Sequence, residues 1–165
     1  MPGLYFAIYY EVPDGAFFRA AQTWESEILG GTGLHTRAGD GAREIGYWIT
    51  TRHEGRGLVT ETTAALVRVG FEIEHLERID IHCDPANVRS AAIPRKLGFR
   101  HEGTLRKRTP RRHGAPADRM IWTLLAEEYS ASPCATAVVR AFDAIGRMIL
   151  EPPAVKAPKG RSAFR

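Results

Sequence analysis

The chain has 165 residues, of which 44% are apolar and 25% charged, and a formal net charge of +4. That length points to one domain, and that balance to a soluble globular protein with a core of moderate size. Two cysteines, Cys83 and Cys134, exclude a disulfide framework; no apolar run approaches the roughly 18 residues of a membrane span, and Met1-Pro2-Gly3-Leu4 opens no signal peptide, so the expected location is the cytoplasm.

Leu4 to Tyr10 reads as an aromatic, apolar strand. Pro13-Asp14-Gly15 signals a turn, and Ala16 to Ile28 fits either an amphipathic helix or a loop. Ile28 to His35 reads as a strand weakened by glycines, Arg37 to Arg43 as a loop, and Glu44 to Thr50 as the next strand. A helix runs from Leu58 to His75, with Leu66, Val69, Ile73 and Leu76 forming a buried stripe. Ile79, Ile81 and Cys83 alternate with Asp80 and His82, as on a half-buried strand.

Asn87 to Leu97 predicts a short helix, with Asn87 as N-cap and Gly98 as its left-handed C-terminal residue. Pro94 inside it should kink or weaken it. Phe99 to Leu105 and Met120 to Leu125 read as paired strands joined by a long polar turn. Past the break at Ser130-Ala131-Ser132-Pro133, Cys134, Val138, Ala141, Ile145 and Met148 predict an extra C-terminal helix over 130–150. Residues 151–165, rich in proline and basic side chains, predict a disordered basic tail. No internal repeat is present.

Chemistry concentrates at Arg52-His53-Glu54-Gly55-Arg56-Gly57, between a strand and a helix. Gly55 and Gly57 can take backbone angles closed to other residues and leave no side chain in the way. The first-turn N–H groups of the helix that follows lack internal partners, and the dipole is positive there, so a pyrophosphate is the natural guest. The motif lacks the Lys-Ser/Thr ending of a Walker loop and the G-x-G-x-x-G of a dinucleotide fold.

The hexamer reads R-x-x-G-x-G and resembles the coenzyme A pyrophosphate loop of the GNAT acetyltransferase superfamily. Around it stand Glu44-Ile45-Gly46-Tyr47-Trp48, Asn87-Val88-Arg89-Ser90, Lys96-Leu97-Gly98-Phe99 and Glu102-Gly103-Thr104-Leu105-Arg106. That order is similar to the branch containing the ribosomal-protein N-terminal acetyltransferases, from about Tyr5 to Tyr129. The resemblance implies an α/β (α+β) fold with a mixed, mostly antiparallel central sheet flanked by helices. Here it would lack the usual first strand and two helices and would carry the extra C-terminal helix. A GNAT domain would then occupy residues 1–129 in N-terminally incomplete form.

The resemblance also implies roles. Backbone amides from Arg52 to Gly57 and at Leu58, Val59 and Thr60 would cradle the pyrophosphate of acetyl-CoA, the co-substrate, with Arg52 and Arg56 adding charge. The pantetheine arm would lie along Trp48, Ile49 and Thr50, with a carbonyl-polarising N–H near Ile49. Asn87 matches a position that contacts that arm, or is simply a cap. Ser90 is a candidate hydroxyl near the sulfur, or a polar-face residue. Many relatives carry a tyrosine acid where this chain has Pro94, so Ser90, a water or bulk solvent must protonate the leaving thiolate. Glu44 is the first candidate base, or an arginine partner; His35 and Glu102 follow it.

No metal is expected, since the histidines and cysteines show no ligand spacing. The acceptor would be a primary amine, a protein N-terminus or a small amine, attacking directly in a ternary complex. A homodimer would cover sheet surface that the missing helices leave open. A coenzyme A-binding remnant without turnover is the alternative. A nucleic-acid module built on Arg106-Lys107-Arg108 and Arg111-Arg112 has thinner support, because no aromatics interleave the cations.

Overall fold

The computed structural model describes residues 5–6, 21–22, 29–109, 115–143 and 145–153. Tyr5–Phe6 (β1) pairs antiparallel with Ala21–Gln22 (β2). Ala21 and Gln22 are therefore extended, not part of a helix from Ala16 to Ile28; the rest of that segment lies outside the described residues, as does the tail from 154.

The centre of the fold is a five-stranded sheet of β3 (Gly30–His35), β4 (Ala42–Ile49), β5 (Arg78–Cys83), β6 (Arg100–Thr109) and β7 (Ala117–Leu125), in the order β3-β4-β5-β7-β6. Only β4 and β5 run parallel; the other neighbours are antiparallel. The sheet is mixed, mostly antiparallel and flanked by helices, as the sequence predicts. A parallel pair needs a crossover, and helix α1 (Leu58–Glu72) supplies it. Helix α2 (Val88–Lys96) follows β5, and a single turn, α3 (Ala126–Tyr129), follows β7. Among the described residues no helix is long and apolar enough to cross a membrane.

One face of the sheet is apolar. Leu34, Ile45, Ile79, Ile81, Trp122 and Leu124 meet Leu66, Val67 and Phe71 of α1 and Ala91 of α2. Burying such side chains contributes about 1.5–3 kcal/mol each relative to exposure. The opposite face is polar yet partly closed, for Glu44, Asp80 and Thr123 are buried on it. Asp80 accepts the Thr123 hydroxyl at 2.9 Å and pairs with Arg78 at 3.1 Å. The predicted alternation on β5 thus holds, but its polar residues point into an ionic network rather than plain solvent.

Helix α1 is buried on two sides, which the single predicted stripe does not capture. Leu66 belongs to the main core, whereas Ala65 and Val69 pack against Val139, Ala141 and Leu150. The C-terminal helix over 130–150 is a misreading. Pro133–Thr136 form one 3-10 turn, and Ala141–Phe142 (β8) pair antiparallel with Met148–Leu150 (β9).

Two local features account for this. The Asp143 side chain accepts from the N–H groups of Ile145 at 3.1 Å and Arg147 at 2.8 Å, while Gly146 sits at φ 82°, so the chain turns back there. The burial also has period two, not 3.6. Val139 and Ala141 face α1, and Val138, Arg140 and Phe142 face outward. Val138 and Ile145, two members of the proposed helical face, are 80% and 77% exposed.

Candidate active site

Strands β4 and β5 pair only from Ala42↔Arg78 to Ile45↔Ile81. Beyond Ile45, β4 continues to Ile49 against β3 alone, and β5 continues to Cys83 against β7 alone. A notch therefore opens in mid-sheet. On the side of the helices it widens into a cavity of about 580 Å³, lined by the end of β4, the glycine loop, the start of α1 and one face of α2.

The loop is built as a cradle. Gly55 has φ 74° and Gly57 φ 81°, a backbone region that disfavours side chains, and a Cβ added at either would meet nothing within 4 Å. Gly57 is the N-cap of α1, and the first helical bond is Glu61 N–H to Gly57 O at 3.0 Å. The amides of Leu58, Val59 and Thr60 precede that bond, so the helix offers them to an anion. Arg56, Arg89 and Lys96 also line the cavity. Open space over a glycine cradle, unbonded helical amides and a rim of cations fit a coenzyme A pyrophosphate.

The predicted cofactor residues gather here with two exceptions. Trp48, Ile49, Gly55, Arg56, Gly57, Leu58, Val59, Thr60, Asn87 and Ser90 all line the cavity. Thr50 and Arg52 are not among the lining residues. Thr50 turns aside, its hydroxyl 2.7 Å from His53 Nδ1. Asn87 is the cap the sequence predicts, since its Oδ1 accepts the Ser90 N–H at 3.0 Å.

The side chains of several lining residues are given no role by the sequence reading. His53 is buried at the cavity wall, and burial, then Arg52 and Arg56, lower its pKa. Glu54 of the loop pairs with Arg89 of α2, joining two walls of the cavity. Spacing could have found Arg89, Ile93 and Lys96, which recur at helical intervals after Asn87.

Tyr47 is the most consequential omission. Its hydroxyl donates to the Ser90 carbonyl at 3.1 Å and accepts from Ser90 Oγ at 3.2 Å. Burial pushes its pKa up to about 12, so it stays a neutral phenol. Pro94 explains the first bond. A residue at 94 with an N–H would donate it to Ser90 O; proline cannot, and the phenol takes that place.

The candidate bases are not in this cavity. Glu44 is on the polar face of the sheet, where its carboxylate accepts Arg37 Nε at 2.8 Å and Nη2 at 2.9 Å. His82 Nδ1 is 3.3 Å away. Burial alone would raise the Glu44 pKa, but the nearby His82 and the two hydrogen bonds from Arg37 outweigh it and bring it down to about 2. So weak a base does not suit proton abstraction, and the arginine-partner reading of Glu44 fits the geometry. His35 shares that face, and its pKa is lowered by burial and then by Arg37. Glu102 is exposed on β6, next to the register shift between His101 and Gly103. Cys83 is buried and burial raises its pKa, so it is a core thiol. No cluster that could hold a metal occurs among the described residues.

Comparison with known proteins identifies the family. Residues 5–100 match the acetyltransferase (GNAT) domain. The chain is 40% identical over 63 residues to a putative ribosomal N-acetyltransferase of Bacillus subtilis, covering 38% of this chain and 34% of that protein. It is 33% identical over 64 residues to the ribosomal-protein-serine acetyltransferase of Escherichia coli, covering 39% of this chain and 36% of the other. The matched stretch thus spans about a third of each of these two relatives. The ribosomal-protein-S5-alanine acetyltransferase structure from Vibrio fischeri superimposes with a TM-score of 0.58 at 25% identity, over 64% of this chain and 58% of that one. With the domain match covering more than half of its residues, the chain belongs to the GNAT acetyltransferase family.

Proposed function

We propose that this protein transfers acetyl from acetyl-CoA to a primary amine, most simply the N-terminal amine of a protein, by direct attack in a ternary complex. One observation carries the reading: the glycine cradle at the start of α1 opens into a cavity that runs to a notch in the sheet. The pyrophosphate would rest on the amides of Leu58, Val59 and Thr60, with Arg56 and Lys96 beside it. The pantetheine arm would lie along Trp48 and Ile49, whose edge toward β5 carries no strand partner and offers backbone groups. When bound, acetyl-CoA supplies the thioester. The chain's own residues orient it, exclude water and place an N–H of β4 near the carbonyl oxygen.

A protein acceptor is supported by relatives named for ribosomal-protein acetylation. Cytoplasmic location and self-association belong to the same proposal.

Calorimetric titration with acetyl-CoA, alongside Gly57→Glu, tests the cofactor site. Binding by the parent protein and loss in the variant are expected, because the glutamate would fill the cradle with negative charge. A folded parent that does not bind would defeat the proposal. Thiol release with peptides beginning in alanine or serine then tests the acceptor class.

A further inference from the structure

The cofactor cavity lies on the helix side of the notch, so a bound thioester closes that side. An acceptor amine must then reach the carbonyl from the polar face of the sheet. The residues at the mouth of the notch on that face are His82, the first residue of β5 beyond the last β4 pairing, and Gly46, the first of β4. Gly46 is roofed by His35, since a methyl group added there would sit 3.0 Å from His35 Nε2. Between the histidines stands Glu44, with Arg37 on one side and His82 Nδ1 at 3.3 Å on the other.

Resting on the acetyltransferase reading above, we propose that His82 is the general base for the acceptor amine, with Glu44 as its positioning residue. His82 Nδ1 is buried 3.3 Å from the Glu44 carboxylate and makes no other hydrogen bond, so that carboxylate is the group there to take its proton; a proton held on Nδ1 leaves Nε2 to accept another. Arg37 fixes the carboxylate in turn through two bonds. The other groups on this face do not compete for the role. Asp80, two residues before His82, is held by Arg78 and Thr123. Opposite His82 on β7 stands apolar Ile121, with Arg119 farther along the same face. His35 is kept neutral by burial and by Arg37, so it adds no charge that would repel an incoming ammonium.

The proton balance is simple. Nε2 takes one proton from the ammonium and releases it to solvent. The amine nitrogen bonds to the thioester carbon, the C–S bond breaks, and the second amine proton ends on the leaving thiol.

The test uses the full chain, acetyl-CoA and a short peptide beginning with alanine. His82→Gln should lower kcat/KM roughly 100-fold or more and abolish its fall at acidic pH, while acetyl-CoA affinity stays unchanged. Glu44→Gln should lower kcat without changing KM for acetyl-CoA. A readout apart from turnover is the imidazole nitrogen spectrum of the unliganded protein. It should show His82 carrying its proton on Nδ1, and a proton on Nε2 at neutral pH would overturn the assignment. An active parent with an unaltered pH profile in His82→Gln would remove this assignment alone. A parent that binds acetyl-CoA yet acetylates neither the peptide nor simple amines would remove the acetyltransferase reading and this assignment with it.

Discussion

The phenol of Tyr47 caps a carbonyl that Pro94 leaves open, that of Ser90, at 3.1 Å. One side chain on β4 thereby ties the notch edge to α2 and holds the Ser90 hydroxyl at the cavity wall. Tyr47→Phe should destabilise the protein by about 1–3 kcal/mol, because a part-buried carbonyl and hydroxyl lose their partner. Pro94→Ala would restore an N–H to α2. The double variant should therefore lose less than the sum of the two single variants, measured by denaturant unfolding. Additive losses would show that the proline and the phenol do not share the carbonyl.

Gly57 carries both a backbone constraint and a ligand constraint. At φ 81° alanine is strained, and Gly57→Ala should cost about 1–2 kcal/mol of stability. The new methyl would clash with nothing in the protein but would stand over the amide cradle. Loss of one anion-to-amide contact is worth about 1.5–3 kcal/mol, so acetyl-CoA affinity should drop roughly 10- to 100-fold. Thermal unfolding and calorimetry separate the two effects. An unchanged affinity beside lowered stability would mean the cradle lies elsewhere.

Arg68 is a buried cation that fastens the C-terminal hairpin to α1. It bonds Glu72 at 2.9 and 3.1 Å and the carbonyls of Ala137 at 3.0 Å and Glu151 at 2.7 Å. Arg68→Ala should cost about 2–4 kcal/mol, somewhat less than a fully buried broken pair, since Glu72 keeps the Tyr129 hydroxyl and some solvent. Limited proteolysis should then cut first between residues 137 and 151. Cleavage elsewhere at the parent's rate would argue against the clamp.

How much of this was legible in the sequence depended on range. The glycine cradle, the Asn87 cap and the left-handed Gly98 rest on neighbouring residues and could be read directly. The Tyr47–Ser90 contact joins residues 43 apart, and only the packing of α2 on β4 creates it. Glu44 and His82 meet because of the parallel β4–β5 register, which no local pattern encodes. The false C-terminal helix arose because five apolar residues happened to fit helical spacing. The Asp143 turn and the outward Val138 and Ile145 reveal a strand period instead.

Glu44 links this register to acid stability. Its pKa falls from 4.5 in the unfolded chain to about 2 in the fold. A depressed carboxylate stabilises the folded state fully above its unfolded value, and that contribution fades as pH drops through the folded one. The window therefore runs from pH 4.5 down to about 2, and the contribution is at most about 3 kcal/mol. Glu44 is buried while its partner Arg37 is 58% exposed, so removing Arg37, which strands a buried carboxylate, should cost more than Glu44→Gln, which leaves a guanidinium that water can solvate. In urea unfolding, the stability gap between the parent and Glu44→Gln should hold steady above pH 4.5. Below that it should narrow, because the parent's carboxylate is then protonated and resembles the amide. A gap that stays constant down to pH 2 would mean that the ion pair, not the protein's packing around residue 44, contributes nothing to folding.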